Sequence, residues 1–158
     1  PGSEGRLLAR LEVETDASAR EAMLIALMRL ASVEAAQGLA RLMRSEDAGL
    51  RNAAIETLAT MPRAAETLVD DLLADSDPDV RILACNLAHA LPLPRVKEWL
   101  TNALSDPHPN VCAAAVDGLA EVGDAACAPH LRAMTARFPD DAFLEFAVRA
   151  VLQRIGVS

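Results

Sequence analysis

The chain has 158 residues, enough for one domain with a substantial core. It is 52% hydrophobic and 24% charged, an ordinary globular composition, and its 3% of aromatic residues leaves Ala, Leu, Val and Met to fill closely packed helices. The net charge of −8 argues against nucleic acid, whose phosphates need Lys and Arg, and against anionic membrane surfaces.

The opening stretch, PGSEGRLLARLE, has no hydrophobic signal core and no initiator Met. Its Gly2–Ser3 resembles a cloning scar, so residues 1–3 read as a remnant on a piece of a longer protein. No apolar run approaches the roughly 18 residues of a membrane span. Three cysteines without paired spacing fit a reducing cytoplasm, the expected location.

In chain order, apolar spacing predicts helices in pairs. The first helices of the pairs fall near residues 5–14, 33–44, 63–74, 94–105 and 124–137. Each is followed by a longer amphipathic helix. The first is TDASAREAMLIALMRL, anchored on Ala19 and Arg20. The second is EDAGLRNAAIETLATM, with Leu50, Arg51, Ala54, Leu58 and Met61. The third, DSDPDVRILACNLAHAL, places Val80, Leu83, Ala84, Leu87, Ala88 and Leu91 on one helical stripe. The fourth, HPNVCAAAVDGLAEV, is anchored on Val111, and the fifth, DDAFLEFAVRAVLQRI, on Phe143. The anchors recur at intervals of 31, 30, 31 and 32 residues, dividing one domain (1–158) into repeats 5–32, 33–61, 62–91, 92–122 and 123–156.

Cap and breaker residues support the division. Asp16, Asp47, Asp77 and Asp140 are expected to accept hydrogen bonds from free amides of the first turns. Pro78 and Pro109 sit at first helical positions, where no amide donor is needed. His108 replaces the Asp in the fourth copy, a weaker cap. Pro62, the LPLP at 91–94, Gly123 and Pro139 interrupt the helices. One helix pair cannot bury its own apolar face, so five stacked pairs make an all-α solenoid.

At DPDVRILA the chain resembles the short HEAT repeats known as HEAT-like repeats of phycobiliprotein lyases, and the resemblance spans nearly the whole chain. The TPLH of ankyrin repeats and the Trp, Gly and Tyr spacing of tetratricopeptide repeats are missing. The resemblance implies a right-handed superhelix of five HEAT-like helical hairpins, about ten helices. It also implies a structural ladder in which Arg20, Arg51 and Arg81 bond Asp47, Asp77 and nearby acids of neighbouring repeats, because Arg pairs directionally with carboxylates. The ladder stops where Cys112 and Leu144 take the Arg position. Phe138, Phe143 and Phe146 are expected to pack around the last repeat, as a cap or against further repeats of a longer parent chain. In the first repeat, Leu24, Ile25 and Met28 form an apolar surface that asks for cover by upstream chain or a partner.

In HEAT arrays the second helices line a concave face. Here that assigns Asn52, Ile55, Glu56, Ile82, Cys85, Asn86, His89, Val116 and Asp117 to a partner-binding groove, with Glu21, Glu145, Val148 and Arg149 at its flanks. Layers spaced about 9 Å apart make it on the order of 40–50 Å long. A mixed apolar and acidic groove suits a helix or extended segment of another protein that carries apolar anchors and some basic side chains.

Chemistry is sparse. Cys85 and His89, four apart on one helix face, are the metal-ligand candidates, with Glu56 and Asp117 the acids able to approach. The set does not close a site. Cys85 reads better as a small apolar filler and His89 as a groove residue. There is no Gly-rich phosphate loop, no HExxH, and no His followed by Glu as in the HEAT-type deoxyhypusine hydroxylases. Trp99 occupies a first-helix position equivalent to Leu68 and is expected in the core, leaving no aromatic-lined basic groove of the kind HEAT-like DNA glycosylases use. The expectation is a non-catalytic protein-interaction scaffold with no cofactor and no catalytic residue. The alternative, carried by resemblance alone, is a lyase-like subunit handling a tetrapyrrole chromophore.

Overall fold

A computed structural model describes residues 2–157; Pro1, part of the remnant read from the sequence, lies outside them. Among the described residues, ten α-helices follow one another in pairs: α1 (Ser3–Val13) and α2 (Ala17–Leu30), α3 (Val33–Leu42) and α4 (Ala48–Ala59), α5 (Pro62–Leu73) and α6 (Pro78–Ala90), α7 (Val96–Ala103) and α8 (Pro109–Val122), α9 (Ala128–Arg137) and α10 (Ala142–Arg154). No strand occurs among the described residues. The chain divides into two compact units, residues 1–71 and 72–158, with the junction in the last turn of α5.

In the first unit, α1 and α3 pack side by side, as do α2 and α4, and each hairpin closes on itself. Leu8, Leu11, Leu27, Leu39, Leu50 and Leu58 fill the space between the layers. Small residues set the spacing. A methyl group at Gly38 would come within 2.0 Å of Leu8 Cδ1 and 2.8 Å of its Cγ, so α3 approaches α1 closely only as glycine.

In the second unit, α8 packs between α6 and α10, and α7 lies against α6 and α8. Gly118 sits where three helices meet: a methyl group there would be 2.6 Å from Leu100 Cδ1 and 3.3 Å from His89 Cβ. Trp99 is 2% exposed, in the core as expected, with the Arg95 guanidinium 4.7 Å above its ring.

The second helices start on caps. Asp16 accepts from the Ala19 amide at 2.8 Å, Asp47 from Leu50 at 3.1 Å and Asp77 from Asp79 at 2.9 Å. His108 caps α8 through Nδ1, which accepts the Asn110 amide at 3.3 Å. In the fifth copy the cap is Asp141, not Asp140: its Oδ1 accepts from Leu144 N at 3.0 Å. The core anchor is therefore Leu144, 1% exposed, one residue later than Phe143. Phe143 and Phe146 consequently stand in solvent instead of packing around the end.

The fifth first helix also starts late. Ala125–Cys127 form a single 3-10 turn before α9. A continuous helix from residue 124 would carry Pro129 inside it, where the ring clashes with the carbonyl four residues back; breaking at Ala128 puts the proline in the first turn.

The first four hairpins are held from the position after the anchor. Arg20 Nε donates to the Glu14 carbonyl at 2.6 Å, Arg51 Nη1 to Ser45 at 2.6 Å and Arg81 Nη1 to Asp75 at 2.7 Å, in each case six residues back. Cys112, at the same position, points its thiol at the Asp106 carbonyl, 3.3 Å away. Arg137 of α9 adds donors to the carbonyls of Leu104 and Asp106.

Two of the arginines also reach the next pair. Arg20 bonds Asp47 at 2.7 Å, while Arg81 makes a two-pronged bond to Asp106 at 2.7 and 3.0 Å. The Asp77 carboxylate caps α6, and Arg51 donates to the carbonyls of Ser45 and Glu46 in its own loop.

The Arg81 and Asp106 side chains are only 12% and 9% exposed. Burial pushes the Asp106 carboxyl up, but the Arg81 hydrogen bonds and the His108 amide outweigh it and hold it below the ordinary carboxylate range. A depressed folded value stabilises the fold above the unfolded pKa of about 3.9, and that contribution is lost as pH falls through the folded value. Asp106→Asn is expected to cost about 2 kcal/mol at neutral pH in urea unfolding. The gap from wild type should hold down to about pH 4 and close in stronger acid; a gap independent of pH counts against the ion pair. Gly38→Ala should destabilise by roughly 1–3 kcal/mol from overpacking, less the ~1 kcal/mol helix-propensity gain, and trimming Leu8 to Ala in the same chain should recover part of the overpacking term. Full additivity of the two changes would rule out the close approach.

Candidate functional site

Two open features of the described residues involve second helices. In the first unit, a depression of about 510 Å³ separates α2 from α4. Leu24, Ile25 and Met28 of α2 form one wall, the apolar surface expected from the sequence. Ala53 and Thr57 of α4 form the other, and the Thr57 hydroxyl is directed to the Ala53 carbonyl at 2.7 Å, leaving the depression largely apolar. Arg20 borders it, but its guanidinium is held by Asp47 and the Glu14 carbonyl. Glu21 and Glu56 stand exposed at the rim with no partnered cation among the described residues. The depression therefore joins a greasy floor to an acidic edge.

The residues assigned to the groove separate into two groups. Asn52, Glu56, Asn86 and Asp117 are exposed, and Ile55, Ile82 and His89 are half-buried. Cys85 and Val116 are not on the open surface: they are 0% and 1% exposed. Both lie five residues past their anchors, a helical position that is covered when α6 packs on α8 and α8 on α10. Of the flanking residues, Val148 is buried, and Glu145 and Arg149 are exposed and paired at 2.7 Å. They border a second depression, of about 470 Å³, between α9 and α10.

The two weak metal-ligand candidates are separated by the same packing. His89 Nε2 lies 3.0 Å from Glu121 Oε2 of α8, while Cys85 is sealed inside, its thiol pushed up to about 12 by burial. A thiolate, the form that binds metals and attacks electrophiles, is disfavoured there. Among the described residues no group of three or more His, Cys, Asp or Glu is placed to hold a metal ion. Burial also raises the Cys112 thiol.

A stack of helical hairpins with caps and arginines at fixed places defines an all-α repeat protein. The family model for HEAT repeats matches residues 65–152, more than half of the chain, and the chain belongs to that family. The structure is similar to a chain in the complex of CpcE and CpcF of phycocyanin lyase from Nostoc sp. PCC7120, at 25% identity and a TM-score of 0.56, covering 98% of both chains. It also aligns with an engineered protein at 16% identity and a TM-score of 0.48, covering 98% of this chain and 80% of that one. No curated protein matches the sequence. No helix among the described residues is long and apolar enough to cross a membrane.

Cys85, Cys112 and Cys127 are all buried and unbridged. In the native protein a water-soluble thiol reagent at pH 8 should titrate none of them quickly, and all should react once urea unfolds the chain. Rapid native labelling of Cys85 would show that the α6–α8 packing opens.

Proposed function

We propose that this chain is a non-catalytic protein-interaction module that takes a segment of another protein on the exposed faces of its second helices. The observation that carries the reading is the α2–α4 depression. Leu24, Ile25 and Met28 offer apolar contact there, and the unpaired Glu21 and Glu56 favour basic side chains beside the apolar ones. The likeness to a chain of a two-protein lyase complex supports a protein as the partner. A cytoplasmic setting fits three unbridged cysteines. The repeat boundaries read from the sequence belong to the same proposal.

A second reading, a lyase-like subunit that handles a tetrapyrrole, draws on that same likeness, which extends over 98% of both chains at 25% identity. Fold likeness does not by itself carry an activity.

Affinity capture from native extract separates the readings. Wild type should retain a specific protein that a chain with Ile25→Asp and Met28→Asp loses, both proteins having matching helical circular dichroism. Retention of the same proteins by both removes the depression from the interaction. Addition of a linear tetrapyrrole that shifts and sharpens its absorbance on the wild-type chain, with no protein captured, would move the assignment to the second reading.

A further inference from the structure

The outward turn of α10 leaves an aromatic pair uncovered. Phe143 and Phe146 are 68% and 69% exposed, and they are two of the three phenylalanines in the chain. Three residues apart on one helix, they are surface neighbours. Burying two such side chains removes a large apolar surface from water, so together they form a latent anchor, and aromatic anchors dominate protein interfaces.

Acidic side chains accompany the pair. Asp140 and Asp141 lie just before Ala142 and Phe143, and Asp117 and Glu121 stand exposed on α8, the helix that α10 packs against, with Glu121 beside His89 Nε2 at 3.0 Å. The nearby arginines are already engaged. Arg137 donates to the carbonyls of Leu104 and Asp106, Arg149 bonds Glu145, and Arg154 bonds the carbonyls of Leu119 and Gly123. No cation pairs with Asp117 or Asp140 among the described residues. The same carboxylates repel an anionic membrane, and a second copy of a chain carrying −8 would meet the same repulsion. The surface is made of side-by-side helices with no strand edge, so it offers ridges and grooves to a helix and not hydrogen bonds to an extended chain.

We infer that Phe143 and Phe146 anchor an amphipathic helical segment of a partner protein, with the apolar stripe of that segment on the rings and its flanking Lys or Arg side chains facing Asp117 and Asp140. The inference concerns the second unit and stands apart from the α2–α4 depression.

The test uses the full chain and a fluorescent synthetic helix whose Leu stripe is bordered by Lys, read by anisotropy. Wild type should bind it, with affinity falling as salt rises. Phe143→Ser with Phe146→Ser should weaken binding by about 10-fold or more. Asp117→Lys should weaken it several-fold and flatten the salt dependence, and the loss caused by the two Phe→Ser changes should persist in a chain that also carries Ile25→Asp and Met28→Asp. Both phenylalanines are exposed, so these variants should keep the wild-type melting curve. Failure of wild type to bind, equal binding by the double Phe variant, or equal affinity for a control helix bordered by Glu would each overturn the inference. Binding lost only in the Ile25, Met28 chain would overturn it while supporting the depression. Phe-dependent attachment to phosphatidylcholine vesicles, with no uptake of the Lys-bordered helix, would overturn it in favour of a lipid surface.

Discussion

The fold depends on a side chain reaching back to the loop it has just left. The last carbonyls of a helix have no partner within that helix, and in a tight hairpin they are crowded against the start of the next one. Arg20, Arg51 and Arg81 each bond a loop carbonyl six residues earlier, just past the end of the first helix, which restrains the angle at which the second helix leaves the first. The apolar stripes of both helices can then face the same layer. With so few aromatic side chains to tolerate misalignment, the Ala and Gly contacts at Gly38 and Gly118 require that angle to repeat closely. Arg20 and Arg81 extend the same guanidinium to a carboxylate of the next pair, so one residue both closes a hairpin and joins it to its neighbour.

Most of this architecture is legible in the sequence because its signals are local. Asp16, Asp47 and Asp77 announce helix starts, Pro78 and Pro109 mark first turns, and the apolar stripe follows at fixed distance. The fifth copy is misread where the signal is degenerate. Asp140 and Asp141 are both good caps, and hydrophobicity favours Phe143 over Leu144 as the buried anchor. The spacing of cap and anchor in the other copies, three residues each time, selects Asp141 and Leu144. One residue of slip turns a helix by about 100° and reverses the meaning of the aromatic pair, from core to surface. The arginines are conspicuous in sequence, but their backbone acceptors are not, since any residue supplies a carbonyl.

The candidate site is less legible than the fold. The apolar wall of Leu24, Ile25 and Met28 can be read from the first repeat alone, and the structure sets it against α4 with Glu56 at the rim. The burial of Cys85 and Val116 cannot be read in the same way, because it depends on which flank of each helix meets the next one. A helical position that is open at Leu24 and Arg149 is closed at Cys85 and Val116. What the open faces share is chemistry: exposed apolar side chains beside carboxylates that lack partners.

The reach of Arg137 has a kinetic consequence. Where the fourth pair lacks the arginine of its predecessors, the carbonyls of Leu104 and Asp106 are served by a residue of the following pair. Until α9 is in place, the loop between α7 and α8 has only the weak thiol contacts of Cys112 at these carbonyls. Fraying from the C-terminal side would expose not one hairpin but the joint of the hairpin before it. The first three pairs clamp themselves through their own arginines, whereas this contact couples the last two, so amide exchange there should follow one shared opening event and not two successive ones.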